Sequence, residues 1–182
     1  MGLSYSSQFI VGSSIMRPFF VLLLLSWYAA IPVAMFAQDG DSQESAQCTF
    51  DDGKQMIVRY NSLKIGKNDN PPYGKTWSPG GAAMTLFTEA EVTLGGKTVP
   101  TGGYTMYLVP GKKDWALIVS KNTSASAAYS ESQDLARGTM ESGMMPEAEK
   151  EFKAFFGHLG PKTCEFNVSF GKVRAWTEFK EK

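Results

Sequence analysis

Two adjacent glycines, Gly95-Gly96, between Ala90-Glu91-Val92-Thr93-Leu94 and Lys97-Thr98-Val99, do most to restrict what this chain can fold into. Two residues that both accept positive φ, flanked by β-branched residues, mark a tight hairpin whose twist matches the strands it joins. The pattern then repeats. Pro100-Thr101-Gly102-Gly103 leads into Tyr104-Thr105-Met106-Tyr107-Leu108-Val109, and Pro110-Gly111-Lys112-Lys113-Asp114 into Trp115-Ala116-Leu117-Ile118-Val119-Ser120. Upstream, Asp51-Asp52-Gly53 precedes Gln55-Met56-Ile57-Val58-Arg59-Tyr60, and a polar, Pro-rich loop from Lys64 to Pro72 comes before Thr85-Leu86-Phe87-Thr88. Downstream, Cys164-Glu165-Phe166-Asn167-Val168-Ser169-Phe170 alternates strictly, so Cys164, Phe166, Val168 and Phe170 share one face. Gly171-Lys172 then turns into a last strand over residues 173–179. Short strands separated by Gly/Pro turns at intervals of about ten residues predict an all-β domain. The expected form is an antiparallel β-sandwich, jelly-roll-like or Ig-like, over residues 48–182.

One segment stays open between two readings. Pro146-Glu147-Ala148-Glu149-Lys150-Glu151-Phe152 begins as a helix does, with Pro in the first turn and acidic residues after it. Phe152, Ala154, Phe156 and His158 nevertheless alternate as a strand would.

The N-terminus has a different character. Residues 1–37 carry a single charge, Arg17, followed by an apolar run from Phe19 to Ile31 that Pro32 breaks. A positive residue, an apolar core and a small residue, Ala37, ahead of polar Gln38-Asp39-Gly40-Asp41 make a signal-peptide layout. The expectation is therefore a signal helix cleaved after Ala37 and an exported, periplasmic or extracellular protein. The alternative is an uncleaved membrane anchor over residues 17–37. Residues 38–47 are polar throughout and read as a flexible leader.

Export bears on the two cysteines, Cys48 and Cys164, which stand near the two ends of the mature domain. Paired cysteines in an oxidising compartment usually join, so a Cys48–Cys164 disulfide is expected, with two buried free thiols as the alternative. Charge narrows the partners. Lys plus Arg and Asp plus Glu both number 18, and no basic run exists to neutralise a row of phosphates, so no nucleic-acid partner is expected.

With these segments laid out, the chain resembles the bacterial domain-of-unknown-function family 2911. The resemblance rests on Cys48-Thr49-Phe50-Asp51-Asp52-Gly53-Lys54, Pro72-Tyr73-Gly74-Lys75-Thr76-Trp77 and the stretch from Gly95 to Tyr107. Trp115-Ala116-Leu117-Ile118-Val119 and Ser132-Gln133-Asp134-Leu135-Ala136-Arg137 extend it across about residues 48–180. It implies an exported β-sandwich and a strand at 151–158, and it supplies no established activity. The chain departs from the family pattern after Trp77. Where the family usually continues Arg-Thr-Gly-Ala-Asn-Glu-Ala-Thr, this sequence reads Ser78-Pro79-Gly80-Gly81-Ala82-Ala83-Met84-Thr85.

No motif specifies chemistry. His158 is the sole histidine and has no nucleophile motif beside it, so no catalytic residue is assigned. Gly95-Gly96-Lys97-Thr98 resembles a phosphate loop, but a strand rather than a helix follows. Asp39/Asp41 and Asp51/Asp52 lack the calcium-loop pattern, and one histidine with two distant cysteines gives no zinc spacing. No metal and no cofactor is expected. Glu89 and Glu91 share a strand face by spacing, so a dispersed carboxylate pair stays open as the basis of an envelope hydrolase. Among the aromatics, Tyr73, Trp77, Tyr104, Tyr107, Trp115 and Trp176, the pair Tyr73 and Trp77 are flanked by Pro and Gly and are the candidate binding residues. The expectation is a non-catalytic binding or interaction module whose partner is a glycan, a peptide or an envelope protein. A structural role in the envelope is a further alternative, and any membrane contact runs through the N-terminal segment alone.

Overall fold

A computed structural model describes residues 43–182. The signal or anchor segment 1–37 and residues 38–42 of the expected leader lie outside the described residues.

Most of the elements rest on the alternation and turn chemistry read above. Eleven strands form: β1 (Gln43–Thr49), β2 (Gln55–Asn61), β3 (Met84–Thr88), β4 (Val92–Leu94), β5 (Lys97–Val99), β6 (Gly102–Val109), β7 (Trp115–Ser120), β8 (Asp134–Met144), β9 (Lys153–Gly160), β10 (Thr163–Phe170) and β11 (Val173–Glu181). All the pairings are antiparallel, and the strands run β1-β2-β3-β6-β7-β8-β11-β10-β9, with the β4–β5 hairpin joined to β11. The eleven-residue β8 carries the sheet around a corner. It pairs with β7 through Asp134–Met140 and with β11 through Glu141–Met144. The all-β antiparallel expectation holds at this level. The strands make one continuous sheet curled nearly closed, like a barrel, and no division into two stacked layers is seen among the described residues.

The enclosed core follows the period of two. Cys164, Phe166, Val168 and Phe170 of β10 all point inward, as do Met56 and Val58 of β2, Leu117 and Val119 of β7, and Ala175 and Phe179 of β11. The inward positions of β8 are small or flexible: Ala136, Gly138 and Met140. Leu94 fills the space left at Gly138, where any Cβ would overlap its side chain. In the segment that departs from the family pattern, Ala83 packs in a separate buried cluster with Tyr107 and Ile118. At that point this chain has apolar packing.

One expectation, for the start of the domain, is corrected, and one open reading is decided. Residues 43–47 are the beginning of β1, not part of a flexible leader. Their backbone pairs with β2, from Gln43 opposite Asn61 to Gln47 opposite Ile57. Gln43, Ser45 and Gln47 face outward, while Ala46 and Cys48 face the core and Glu44, at the start of the same row, is exposed. A polar face toward water is normal for such a strand, so its composition imitates a linker. The open segment resolves as a strand: Lys153–Gly160 is β9, and residues 150–152 run beside residues 63–65 through Ile65 N–H to Lys150 O (2.8 Å) and Phe152 N–H to Leu63 O (2.8 Å).

β1 and β9, the two ends of the sheet, lie against each other across the gap that would complete a barrel. The Cys48–Cys164 disulfide ties β1 to β10 there, with Cα atoms 6.3 Å apart. The Asp51 N–H donates to Pro161 O at 3.1 Å beside it. Among the described residues no helix is long and apolar enough to cross a membrane.

The Gly95-Gly96 hairpin is as expected, with φ of 56° and 77°. Its tip presses into the wall: a Cβ at Gly95 would overlap the Arg137 carbonyl oxygen of β8. Gly95→Ala combines a left-handed backbone with a steric clash and should destabilise the domain by about 2–4 kcal/mol. A urea unfolding midpoint unchanged from the parent would refute this packing.

Candidate ligand cleft

The two candidate binding residues part company. Tyr73 is 42% exposed and borders a groove of about 440 Å³ together with Lys112, Lys113, Asp114 and Trp115. Its neighbour Gly74 donates its N–H to Pro110 O at 2.7 Å. Trp77 instead pairs with Leu108 of β6, donating to its carbonyl at 2.7 Å and accepting from its N–H at 3.0 Å. That register turns the indole inward, edge-on to Trp115, Phe152 and Phe170 at centroid distances of 6.3, 5.7 and 5.4 Å. Trp77 packs half-buried against the core, whereas Tyr73 is exposed.

The other groups weighed from sequence are accounted for by local contacts. His158 Nε2 lies 3.4 Å from Asp51 Oδ1, with both side chains exposed. Glu89 and Glu91 do not share a strand face, because residues 89–91 bend between β3 and β4. Glu89 accepts the Gln55 N–H at 3.0 Å and Glu91 pairs with Lys182 at 2.6 Å. A polar cluster joins the 121–133 segment to β8: the Tyr129 hydroxyl donates to Asp134 at 3.1 Å, and Arg137 donates to Asp134 and to Tyr129. Burial, then the Asp134 contact, raises the Tyr129 pKa. The hydrogen bond to Asp134 raises that of Arg137. The hydrogen bonds of the cluster tie the 121–133 segment to β8.

The described residues also form a cleft that sequence reasoning did not find. β8 and β11 are paired where Trp176 faces Glu141 and separate beyond that point, because β4 takes over the edge of β11 through Thr93 opposite Lys180. The fork leaves a cleft of about 520 Å³, with the Gly95-Gly96 tip at one border. Alternation along β11 places Arg174, Trp176, Glu178 and Lys180 on its outer side. Trp176, Glu178 and Lys180 line the cleft with Glu141 and Thr139 of β8 and Glu165 of β10.

Trp176 is held in place from two sides. The Arg174 guanidinium lies 5.6 Å from its ring centroid and 5.4 Å from that of Phe155. Arg174 is itself fixed by Asn167 Oδ1 at 2.6 Å and by Glu165 at 3.2 Å. On the neighbouring strand Gly143 has no side chain to displace the indole; a Cβ there would already touch it at 3.4 Å. The charges sort by partner. Glu165 is engaged by Arg174 at 3.2 Å and Glu178 by Lys180 at 3.0 Å. Glu141 has no ion-pair partner among the described residues. Among those same residues, no three His, Cys, Asp or Glu side chains are grouped so as to hold a metal ion.

The one available sequence signal was the alternating Arg174, Trp176, Glu178, Lys180 row on a terminal strand. Its partners, Glu141 and Glu165, come from β8 and β10, and cross-strand register is invisible in a single sequence.

The model of a family described as protein of unknown function (DUF2911) matches residues 43–179. No curated protein matches the chain, and no solved structure does.

Proposed function

We propose, for a chain that belongs to the DUF2911 family and takes no activity from it, an exported, non-catalytic binding module of the cell envelope. Its ligand seats in the cleft between β8 and β11. One observation carries this reading: an immobilised indole, hydroxyl groups and carboxylates converge on a single concavity of about 520 Å³, within the range that ligand sites occupy. Trp176 offers a flat apolar face, while Thr93 and Thr139 bring hydroxyl groups to the same cleft. Because the ring is already fixed by Arg174, little side-chain entropy remains to be lost on binding. The disulfide fits export, since such bridges persist in oxidising compartments. The signal-peptide layout of residues 1–37 points the same way. A sandwich of two layers remains the finer form of the fold in keeping with the family resemblance.

A second reading has its own observation. Glu165 and Glu178 face each other directly across β10 and β11, so their Cβ atoms are about 5 Å apart, and a hydrolase needs two such carboxyl groups. Each is already engaged by a cation, which favours a binding role over proton donation. Titration calorimetry against soluble glycans, peptidoglycan fragments and peptides tests both readings. The expected result is binding that Trp176→Ala weakens at least tenfold with a thermal midpoint within about 3 °C of the parent. Binding untouched by Trp176→Ala would move the site to the Tyr73 groove. Turnover of a bound glycan, lost in Glu165→Gln, would make the protein a hydrolase.

A further inference from the structure

We infer that the cleft selects a saccharide bearing a primary ammonium group, an amino sugar, over neutral and acidic sugars. The inference rests on the binding role proposed above and names its ligand class. Glu141 and Trp176 are direct cross-strand neighbours, so a carboxylate and an indole border the same small volume. Arg174 and Lys180 engage Glu165 and Glu178, leaving Glu141 as the carboxylate without a counter-charge. An ammonium group placed there meets the carboxylate and the negative face of the indole together. An acidic sugar would instead bring its charge toward the uncompensated Glu141. The hydroxyl-bearing lining separates a sugar from a lysine side chain. Thr93 and Thr139 come from two different strands and border the cleft together with the indole, which suits a ring carrying several hydroxyl groups, while an alkyl chain would leave them unmatched.

The test uses the purified protein with two probes of equal length, a glucosamine oligomer and its N-acetylated counterpart, which differ by the charge on nitrogen. The glucosamine oligomer should bind at least tenfold more tightly, and raising the salt concentration should narrow the gap. Glu141→Gln should reduce the preference to near unity with an unchanged thermal midpoint, whereas Trp176→Ala should weaken both probes. Equal affinity of the parent for both probes would overturn the ammonium assignment and leave the binding role standing. Binding of an oligolysine peptide, dependent on Glu141, with neither sugar bound, would overturn the saccharide assignment. Failure to bind any of the three probes, together with no ligand found in the broader titrations, would overturn both the ligand class and the binding role.

Discussion

Removing the disulfide by replacing both Cys48 and Cys164 with Ala is expected to lower stability by about 4–5 kcal/mol, the chain-entropy figure for a loop of this length. The two positions are 116 residues apart and sit at the seam where β1 and β9 face each other. Elsewhere along the sheet path each strand is held by hydrogen bonds to a neighbour on either side. At the seam, besides the disulfide, there are the single backbone bond from Asp51 to Pro161, the exposed His158–Asp51 contact and the short pairing of residues 63–65 with 150–152. Exposed ion pairs contribute at most about 1 kcal/mol, so the covalent link should dominate closure. For a domain of this size the thermal midpoint should fall by about 15 °C. Calorimetry on the double variant measures the shift directly, with reduced parent protein as the control. A loss under 1 kcal/mol would mean that the seam is closed by packing and that the disulfide is incidental to it.

This seam was half legible in the sequence. The cysteines could be paired by compartment and by their positions near opposite ends of the domain, because that argument needs no register. The composition of β1 could not be interpreted in the same way. Gln43, Glu44, Ser45 and Gln47 look like linker residues, and only the pairing with β2 shows that Ala46 and Cys48 form an inward row. β8 was unreadable for the opposite reason. Its inward residues are Ala136, Gly138 and Met140, small or flexible groups with little β-propensity. At Gly138 the absence of a side chain is required because Leu94 from the β4–β5 hairpin occupies the space in front of it. Hairpins closed by Gly-Gly or Pro-Gly turns were legible because their chemistry is local. The cleft was not, since Glu141, Glu165 and Trp176 meet only through the order of β8, β11 and β10, and a sequence shows strands without showing which of them are neighbours.

Tyr73 and Trp77 show the same limit most sharply, and they carry the second large expected effect. Both lie in a Pro- and Gly-rich stretch that reads as a surface loop, and nothing in their local sequence distinguishes them. The backbone pairing of Trp77 with Leu108 decides the matter, since it sends one indole into contact with three aromatic rings while Tyr73 stays outside. Trp77→Ala should therefore cost about 3–5 kcal/mol, the range for emptying a large aromatic site in a packed core. Edge-to-face contacts with Trp115, Phe152 and Phe170 add to this, while the half-buried state of the indole places the value toward the lower end. Tyr73→Ala should change stability by about 0.5 kcal/mol or less, as is usual for an exposed position. Urea unfolding of the two variants side by side measures both. If the two came out alike and small, Trp77 would be a surface residue and the loop between β2 and β3 would regain its claim as a binding face. If Trp77→Ala unfolds at markedly lower urea and Tyr73→Ala does not, any ligand lost with Trp77 is lost through the fold. The indole free to meet a ligand is then Trp176, whose supporting contacts lie on the outer side of the sheet.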